Sequence, residues 1–497
     1  MNIFEYMLEK KILYLILGTI FSGASIGKYN FPLSIFIWPY CFLTYLHQNE
    51  KKLIPLIIIS FCLIVGNLIR WFGYNRGDIL ADIIFAIYYG TINIIPFIID
   101  DIIYNNISKW ASIFVFPLLI SLTEYAFEFS YFANHNLYAY ALRNNIHIIQ
   151  ICSLFGCYFL SFIIALFSSI VDYSYDLYKK EKKISKFVPY YALIIFIITS
   201  FGTIRLLIPE KAERYNAAAA LGSSPCLEEG GKYPLLPIDN YMNYIEKNII
   251  KANQSEAKIL VFAEQAFALY EADRKEIISK TAKLAEKYNI YVLLTLDAIY
   301  NNYFKNEAIF ISNKGNILYN YDKNHLIPIF EGKYRSNITE PKTFKTEFGN
   351  VAITICYDTS FGVYLNQLSR LGVDTLLLPS WDWDIVTDLH SIGNRIHVVA
   401  NGYNMIKSAA NGISVSYDYK GRILSYFQPY ECEDYFVLST LYKRGTKTLY
   451  SKIGSFFNYI YLIALVVVVI IGRLSMDKEN KMKFEKLKKN KSKIKII

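Results

Sequence analysis

The sequence predicts a polytopic helical membrane domain joined to an α/β or α+β globular domain. Three observations carry that reading. Over residues 1–208, apolar runs near the ~20 residues that a bilayer-crossing helix needs alternate with short polar breaks. From residue 209 the texture changes to strand-length apolar runs separated by amphipathic and turn-rich segments. A lone apolar run returns at 458–474, with a basic tail directly after it. Composition agrees: of 497 residues 54% are hydrophobic, and mean hydropathy is +0.24. That is too apolar for an ordinary soluble protein and too long for one compact domain.

Taken in order, the first 208 residues hold seven candidate spans, at about 11–28, 31–47, 53–73, 79–100, 109–129, 148–171 and 187–208, and 458–474 is an eighth. The second is short and carries Pro32 and Pro39, which disfavour a continuous helix. Another apolar run follows the first almost at once, which fits a retained helix better than a cleaved signal peptide. The loop "YKKEKKISK" at 178–186 holds five lysines, and much of the net charge of +10 sits in the C-terminal tail. A nucleic-acid-binding tail is the alternative, but a basic segment flanking an apolar run fits a cytoplasmic flank. Seven spans starting inside place residue 209 outside, and the eighth returns the chain, so both basic segments fall on one side. The expected organisation is a membrane domain over 1–208, an extracytoplasmic globular domain over 209–451, and a span with a cytoplasmic tail over 452–497.

Within the globular region "AKILVFAE" and "IYVLLTLD" read as strands flanking the amphipathic "DRKEIISKTAKLAEKYN". There Ile277, Ile278, Ala282, Leu284 and Ala285 recur near helical spacing. "AAAALGSSP" reads as a strand running into a loop. "EAIFISN", "NVAITICYD", "DTLLLPSW", "YNMIKSAAN", "GISVSYD" and "YFVLSTL" are further strands. Helix and strand alternate early and strands crowd late, the pattern of a mixed layered domain. About 240 residues is ample for one core.

Three segment ends carry reactive groups. Glu264 closes the apolar "ILVFAE", Lys323 stands in the turn-rich "YDKNHLIPIFE" with Glu331 eight residues on, and Cys356 closes "AITIC". A cysteine nucleophile needs a base for its proton and a cation or N–H donors for the oxyanion, and Glu, Lys and Cys supply those functions. Each residue alone has a plainer reading: a packed thiol, a carboxylate at a helix start, a solvated lysine. His325 and His390 offer a Cys–His pairing, though His325 lies only two residues from Lys323. Asp382 and Asp384 in "SWDWD" suggest a metal, but no companion ligands stand at suitable spacing. The seven cysteines include no CxxC, so neither a zinc site nor a disulfide framework is indicated. Cys226 and Cys432 could pair outside the cytoplasm.

The order of these segments resembles the carbon–nitrogen hydrolase (nitrilase) superfamily: a strand ending in Glu, then "YDKNHLIPIFE", then a strand ending "ICYD". Seven spans before the domain and one after it resemble, within that superfamily, the apolipoprotein N-acyltransferases. "LLLPSWDWD" and "SAANGIS" are only loosely similar. The resemblance implies an αββα sandwich, with Glu264 as general base, Lys323 as oxyanion stabiliser, Cys356 as nucleophile, and Glu331, Tyr357 and Asp358 in support. The chain also departs from the family pattern. Asp358 stands where the acyltransferases usually have Glu, Glu264 sits in "FAEQA" and not in a Trp-Pro-Glu context, and "RIHV" at 395–398 lacks the glutamate of an Arg-Ala-x-Glu helix.

The implied reaction is acyl transfer in two steps. Cys356 takes an acyl group from a phospholipid as a thioester, and the α-amine of a diacylglyceryl-cysteine lipoprotein takes it as an amide. No cofactor, metal or nucleic acid is implied, and a monomer in a bacterial inner membrane is expected. Trp381, Trp383 and Phe361 could line a lipid entrance or pack the core. One rival is a membrane-anchored amidase or nitrilase that uses water as acceptor. Another is a transporter or receptor, in which ionisable residues within the spans would matter, Glu124 and Glu128 being the clearest here.

Overall fold

The computed structural model describes residues 11–50, 52–73, 78–130, 132–133, 135–222, 235–382, 386–428, 434–454 and 456–494. Cys226, Cys432, Trp383 and Asp384 lie outside them, so neither the cysteine pairing nor the second half of "SWDWD" can be placed.

Every apolar run contains a helix. They are Lys11–Ala24, Ser34–His47, Leu53–Trp71, Ile79–Tyr104, Val115–Phe127 after the short Lys109–Ser112, Cys157–Glu181, Phe187–Leu207 and Phe456–Ile494. Among the described residues, six helical stretches are long and apolar enough to cross a membrane. The second helix differs from expectation: its 14 residues, at ~1.5 Å per residue, reach about 21 Å, short of the ~30 Å hydrocarbon core. The first, described from Lys11, packs against it. The sixth run also differs. Residues 148–155 form the tight turn Ile148–Ile151 and the short helix Cys152–Phe155, and the long helix begins only at Cys157. Gly156, at φ 81, turns the chain between them.

Leu53, Ile57 and Phe61 on one helix, Leu193 and Phe196 on another, and Leu462, Val466 and Ile470 on the last turn outward and are exposed. Such outer faces suit lipid. Inside, Trp38, Phe42, Phe97 and Phe116 interlock. Arg70, also enclosed, donates to Asn136 Oδ1 at 2.8 Å and to Ser25 Oγ at 2.8 Å, and Asn136 donates to Asn67 at 3.0 Å. These bonds tie down the segment after Glu128, which carries His135 towards the globular domain.

The globular domain holds two sheets. The first runs Phe436–Tyr442, Arg214–Ala220, Ala257–Phe262, Tyr291–Ile299, Phe304–Ile311 and Ile317–Asp322, with Phe267–Tyr270 beside Tyr291–Ile299. The second runs Ile423–Phe427, Ser414–Tyr417, Asn404–Ala410, Thr375–Trp381, Gly349–Ile353 and Phe344–Thr346. Their inner faces meet through residues such as Val261, Leu293, Ile353, Leu377 and Ile406. Helices Ile238–Gln254 and Glu271–Lys287 cover the outer face of the first sheet. Gly362–Arg370 and Asn394–Asn401 cover that of the second. The layers are therefore α, β, β, α. Parallel pairing joins the strands that end at Ala220, Phe262 and Ile299, and those that end at Ile353, Trp381 and Ala410. Their carboxyl ends thus open side by side, where ligand sites form in such sheets.

The two domains are pinned together. Arg143 Nε donates to Asp388 at 3.1 Å, Tyr140 Oη meets His397 Nε2 at 2.8 Å, and Gln150 Nε2 donates to the Lys420 carbonyl at 2.9 Å. Glu128 accepts from the Val363 N–H at the start of Gly362–Arg370, and Glu124 from the Tyr138 N–H at 2.7 Å. Both carboxylates are thus acceptors for backbone at element starts, which accounts for two of the ionisable residues a transporter reading would use.

Gly202 rests on the preceding turn so closely that a Cβ there would lie 1.8 Å from the His147 carbonyl oxygen. Backbone cannot yield as a side-chain tip can. Gly202→Ala should destabilise the docking of Phe187–Leu207 by about 1–3 kcal/mol, read as a lower Tm of the detergent-solubilised protein; an unchanged Tm would refute that packing.

Candidate active site

Each candidate group sits where a buried strand stops. Ala257–Phe262 ends two residues before Glu264, Ile317–Asp322 ends one before Lys323, and Gly349–Ile353 ends three before Cys356. Cys356 has φ 46 and Gln265 has φ 53, left-handed conformations unusual for such residues. At Cys356 the chain turns sharply out of the strand into the tight turn Cys356–Ser360.

Glu264, Lys323 and Glu331 form one buried group. Lys323 Nζ lies 2.9 Å from Glu264 Oε1 and 3.0 Å from Glu331 Oε1. Glu264 Oε1 also accepts from Asn306 Nδ2 at 2.6 Å, and its Oε2 accepts from the Trp381 N–H at 2.6 Å. Both oxygens are therefore held, and the bond to Trp381 ties the first sheet to the second. Glu331 Oε2 takes the Ile327 N–H at 2.6 Å, fixing the loop after Lys323. Burial opposes a charge on Lys323, but Glu264 and then Glu331 outweigh it and hold the ammonium well above its ordinary value. Burial pushes Glu331 up against the pull of Lys323. One ammonium is thus shared by two carboxyl groups.

Cys356 is 4% exposed. Burial first, and then the Glu264 carboxylate, push its thiol well above the ordinary value, while Lys323 acts in the opposite sense. Its Sγ lies 3.7 Å from the Trp381 carbonyl oxygen, a long S–H contact. A thiol so placed would need a base to take its proton before it could act as a nucleophile.

Tyr357 and Asp358 have different surroundings. Asp358 is fully enclosed and accepts from Ile355 N–H at 2.9 Å, His325 N–H at 2.8 Å, His325 Nδ1 at 2.8 Å and Tyr321 Oη at 2.6 Å. It therefore staples the Cys356 turn to the loop after Lys323. His325 is committed to Asp358 and stacks on Phe361 at 3.8 Å between ring centres. Phe361 thus packs against the loop, away from the role of entrance lining. Tyr357 lies 5.6 Å, ring to ring, from His135 of the membrane domain.

Those two rings border a cavity with an empty volume of about 590 Å³, partly open to solvent. Trp71, Phe85 and His135 come from the membrane domain, and Phe330, Cys356 and Trp381 from the globular one. Its walls are overwhelmingly apolar. Burial drives His135 down to about 3, so its imidazole is neutral.

The structure also joins residues that spacing did not connect. Cys356, Asp382 and His390 bring potential ligand atoms within 4.8 Å of one another. The expectation that Asp382 lacks companions is corrected: they come from another strand end and a helix, at separations no local motif reveals. The chemistry of the donors still disfavours an ion. Asp382 already takes Lys407 Nζ at 2.5 Å and His390 Nδ1 at 2.7 Å, so an ammonium occupies the cation's place. Despite burial, Lys407 and then His390 hold the Asp382 carboxyl below its usual range. Lys407, in the wholly buried strand Asn404–Ala410, carried a sequence signal: a lysine inside an apolar strand demands a partner.

Asp297, also unforeseen, lies behind the group and accepts from Tyr334 Oη at 3.3 Å. Burial, with Glu331 and Glu264 nearby, raises it to about 7. Unfolded Asp titrates near ~3.9, so the folded protein keeps a proton that the unfolded chain loses between about pH 4 and pH 7. Stability falls as pH rises through that window. Asp297→Asn should remove this slope and be more stable than wild type at pH 8 by about 1–2 kcal/mol, measured by unfolding at pH 4.5 and pH 8; parallel pH profiles would refute it.

Comparison with known proteins bears on both domains. Residues 234–434 match the carbon–nitrogen hydrolase family model, and residues 18–170 match that of the apolipoprotein N-acyltransferase N-terminal domain. An apolipoprotein N-acyltransferase of Shewanella oneidensis is 23% identical over 406 residues, 74% of this chain and 75% of that protein. A probable nitrilase of Schizosaccharomyces pombe is 30% identical over 129 residues, 24% of this chain, and the chain spans about half (47%) of that protein's length. Among solved structures, an amidase from Nesterenkonia sp. is 15% identical with a TM-score of 0.40, over 48% of this chain and 94% of that one. A segment matching the N-terminal domain of the apolipoprotein N-acyltransferases and a segment matching the carbon–nitrogen hydrolase family thus stand in one chain, the two-domain arrangement that the resemblance implied.

Proposed function

We propose that the protein N-acylates lipoproteins through a thioester on Cys356, with a membrane phospholipid as acyl donor. The observation that carries this reading is the apolar cavity that reaches the thiol and is walled jointly by the membrane and globular domains. A small polar amide has no need of such a wall, and a lipid does.

Glu264, held at both oxygens, takes the Cys356 proton as sulfur attacks the ester carbonyl. The oxyanion forms against the Lys323 ammonium and backbone N–H donors. Collapse expels the lysophospholipid oxygen, which takes the proton back from Glu264, and leaves the thioester. The α-amine of a diacylglyceryl-cysteine then attacks, its proton passes to the freed Glu264, and the sulfur leaves as the amide forms and recovers that proton as a thiol. Glu331 keeps Lys323 in place throughout. A monomer contains every group this sequence of steps uses.

The domain arrangement supports an extracytoplasmic active site. Helix Phe187–Leu207 runs from the basic loop to the globular domain, and Phe456–Ile494 runs from that domain into the basic tail. Both basic segments thus lie at helix ends remote from the site, as expected if they face the cytoplasm of a bacterial inner membrane.

Incubation with phospholipid vesicles should give an acyl adduct on the full-length protein by intact mass, labile to hydroxylamine and absent in Cys356→Ser. Transfer to a diacylated lipopeptide should then regenerate the free enzyme. Lys323→Ala should slow adduct formation by about 10²–10³-fold. An adduct that survives Cys356→Ser would remove Cys356 from the role. Release of free fatty acid or ammonia with no lipopeptide acylation would favour the hydrolase.

A further inference from the structure

His390 lies outside the group just described and takes no part in the steps above. Its ring spans two fixed points. Nδ1 is 2.7 Å from Asp382 Oδ1, while Nε2 is 3.2 Å from the Cys356 carbonyl oxygen and 3.3 Å from Thr359 Oγ1. Asp382 is anchored in turn by Lys407 Nζ at 2.5 Å and Ser380 Oγ at 2.7 Å. Thr359 directs its hydroxyl proton to the same Cys356 carbonyl at 2.9 Å and accepts from Asn394 Nδ2 at 3.1 Å. Nε2 therefore faces acceptors only, and a lone pair there would confront two oxygens. A proton on Nε2 is required whether Nδ1 donates to Asp382 or accepts from Lys407, whose Nζ is 3.4 Å away.

The bond from Nε2 sets more than the carbonyl. The described residues contain no cis peptide, and in a planar trans unit C=O and N–H point opposite ways. Turning the Cys356 carbonyl towards His390 turns the Tyr357 N–H away from it. The left-handed φ of 46 at Cys356 is disfavoured for a residue with a Cβ, so the unit needs an external hold to keep that orientation. We propose that His390, backed by Asp382 and Lys407, is a positioning residue that fixes the Cys356–Tyr357 peptide so that the Tyr357 N–H serves as an oxyanion donor beside Lys323. This deepens the acyl-transfer reading and rests on Cys356 as the acyl carrier.

The test uses the full-length protein in detergent and two probes. p-Nitrophenyl acetate acylates a nucleophilic sulfur through a tetrahedral oxyanion, with p-nitrophenolate leaving as the thioester forms. Iodoacetamide alkylates the same sulfur by displacing iodide, with no oxyanion. His390→Ala should lower the p-nitrophenolate burst rate by about 10–100-fold and change the alkylation rate less than about threefold. His390→Gln, whose amide can reach the Cys356 carbonyl, should recover most of the burst. Equal bursts in wild type and His390→Ala would overturn the proposal. So would acylation and alkylation falling together, which would assign His390 to thiol ionisation or to folding. A wild type that bursts with the simple ester but takes no acyl group from phospholipid would sink the phospholipid reading alone. A wild type without a burst would sink both.

Discussion

A single ammonium wedged between two carboxylates is the constraint around which the globular domain is organised. Lys323 has essentially no exposure, and a buried charge without partners would be prohibitive. Its partners come from different places in the chain: Glu264 from the end of a parallel strand, Glu331 from a loop that also fastens itself through Ile327. Glu264 then reaches across the sandwich to the Trp381 N–H. Placing one lysine therefore fixes the ends of both sheets and the loop between them. Burial first, and then the Glu264 carboxylate in that group, push the neighbouring thiol above its ordinary value.

Around that ionic centre the architecture divides labour between domains. The globular domain supplies every titrating group of the proposed chemistry, and the membrane domain supplies apolar wall. Arg70 and Asn136 hold the segment bearing His135 against Tyr357. Contacts at Arg143, Tyr140 and Gln150 prevent the two halves from sliding. A lipid ester held against that wall would meet the sulfur on the apolar side of the cavity.

Much of this was legible in the sequence because it depends on local pattern. The long apolar runs, most strand-like segments and the strand ends bearing Glu264 and Cys356 were apparent, whereas Lys323 was read in a turn-rich stretch and the strand Ile317–Asp322 before it was not. What was missed depends on pairing at a distance. Helix Ile238–Gln254 carried a readable stripe of Tyr241, Ile245, Ile249 and Ala252, but its charged outer face masked it. Strands Phe267–Tyr270 and Phe344–Thr346 are too short to show a period. The Asp382–His390–Lys407 cluster joins a strand end, a six-residue helix and a neighbouring strand, and nothing in spacing reveals that those three meet. Asp358, a departure from the family pattern, turned out to be a structural staple, taking four hydrogen bonds with no exposure.

The protonated state of Cys356 has a further consequence for durability. Oxidants and foreign disulfides attack thiolates far faster than thiols. In the proposed extracytoplasmic setting no glutathione pool would repair a sulfenic acid or reverse a mixed disulfide. A sulfur whose thiol is pushed up by burial and then by an adjacent carboxylate would be shielded from that chemistry until the proposed acyl ester drew its proton off. On that reading the same electrostatics that slow the nucleophile would also keep it reduced between turnovers.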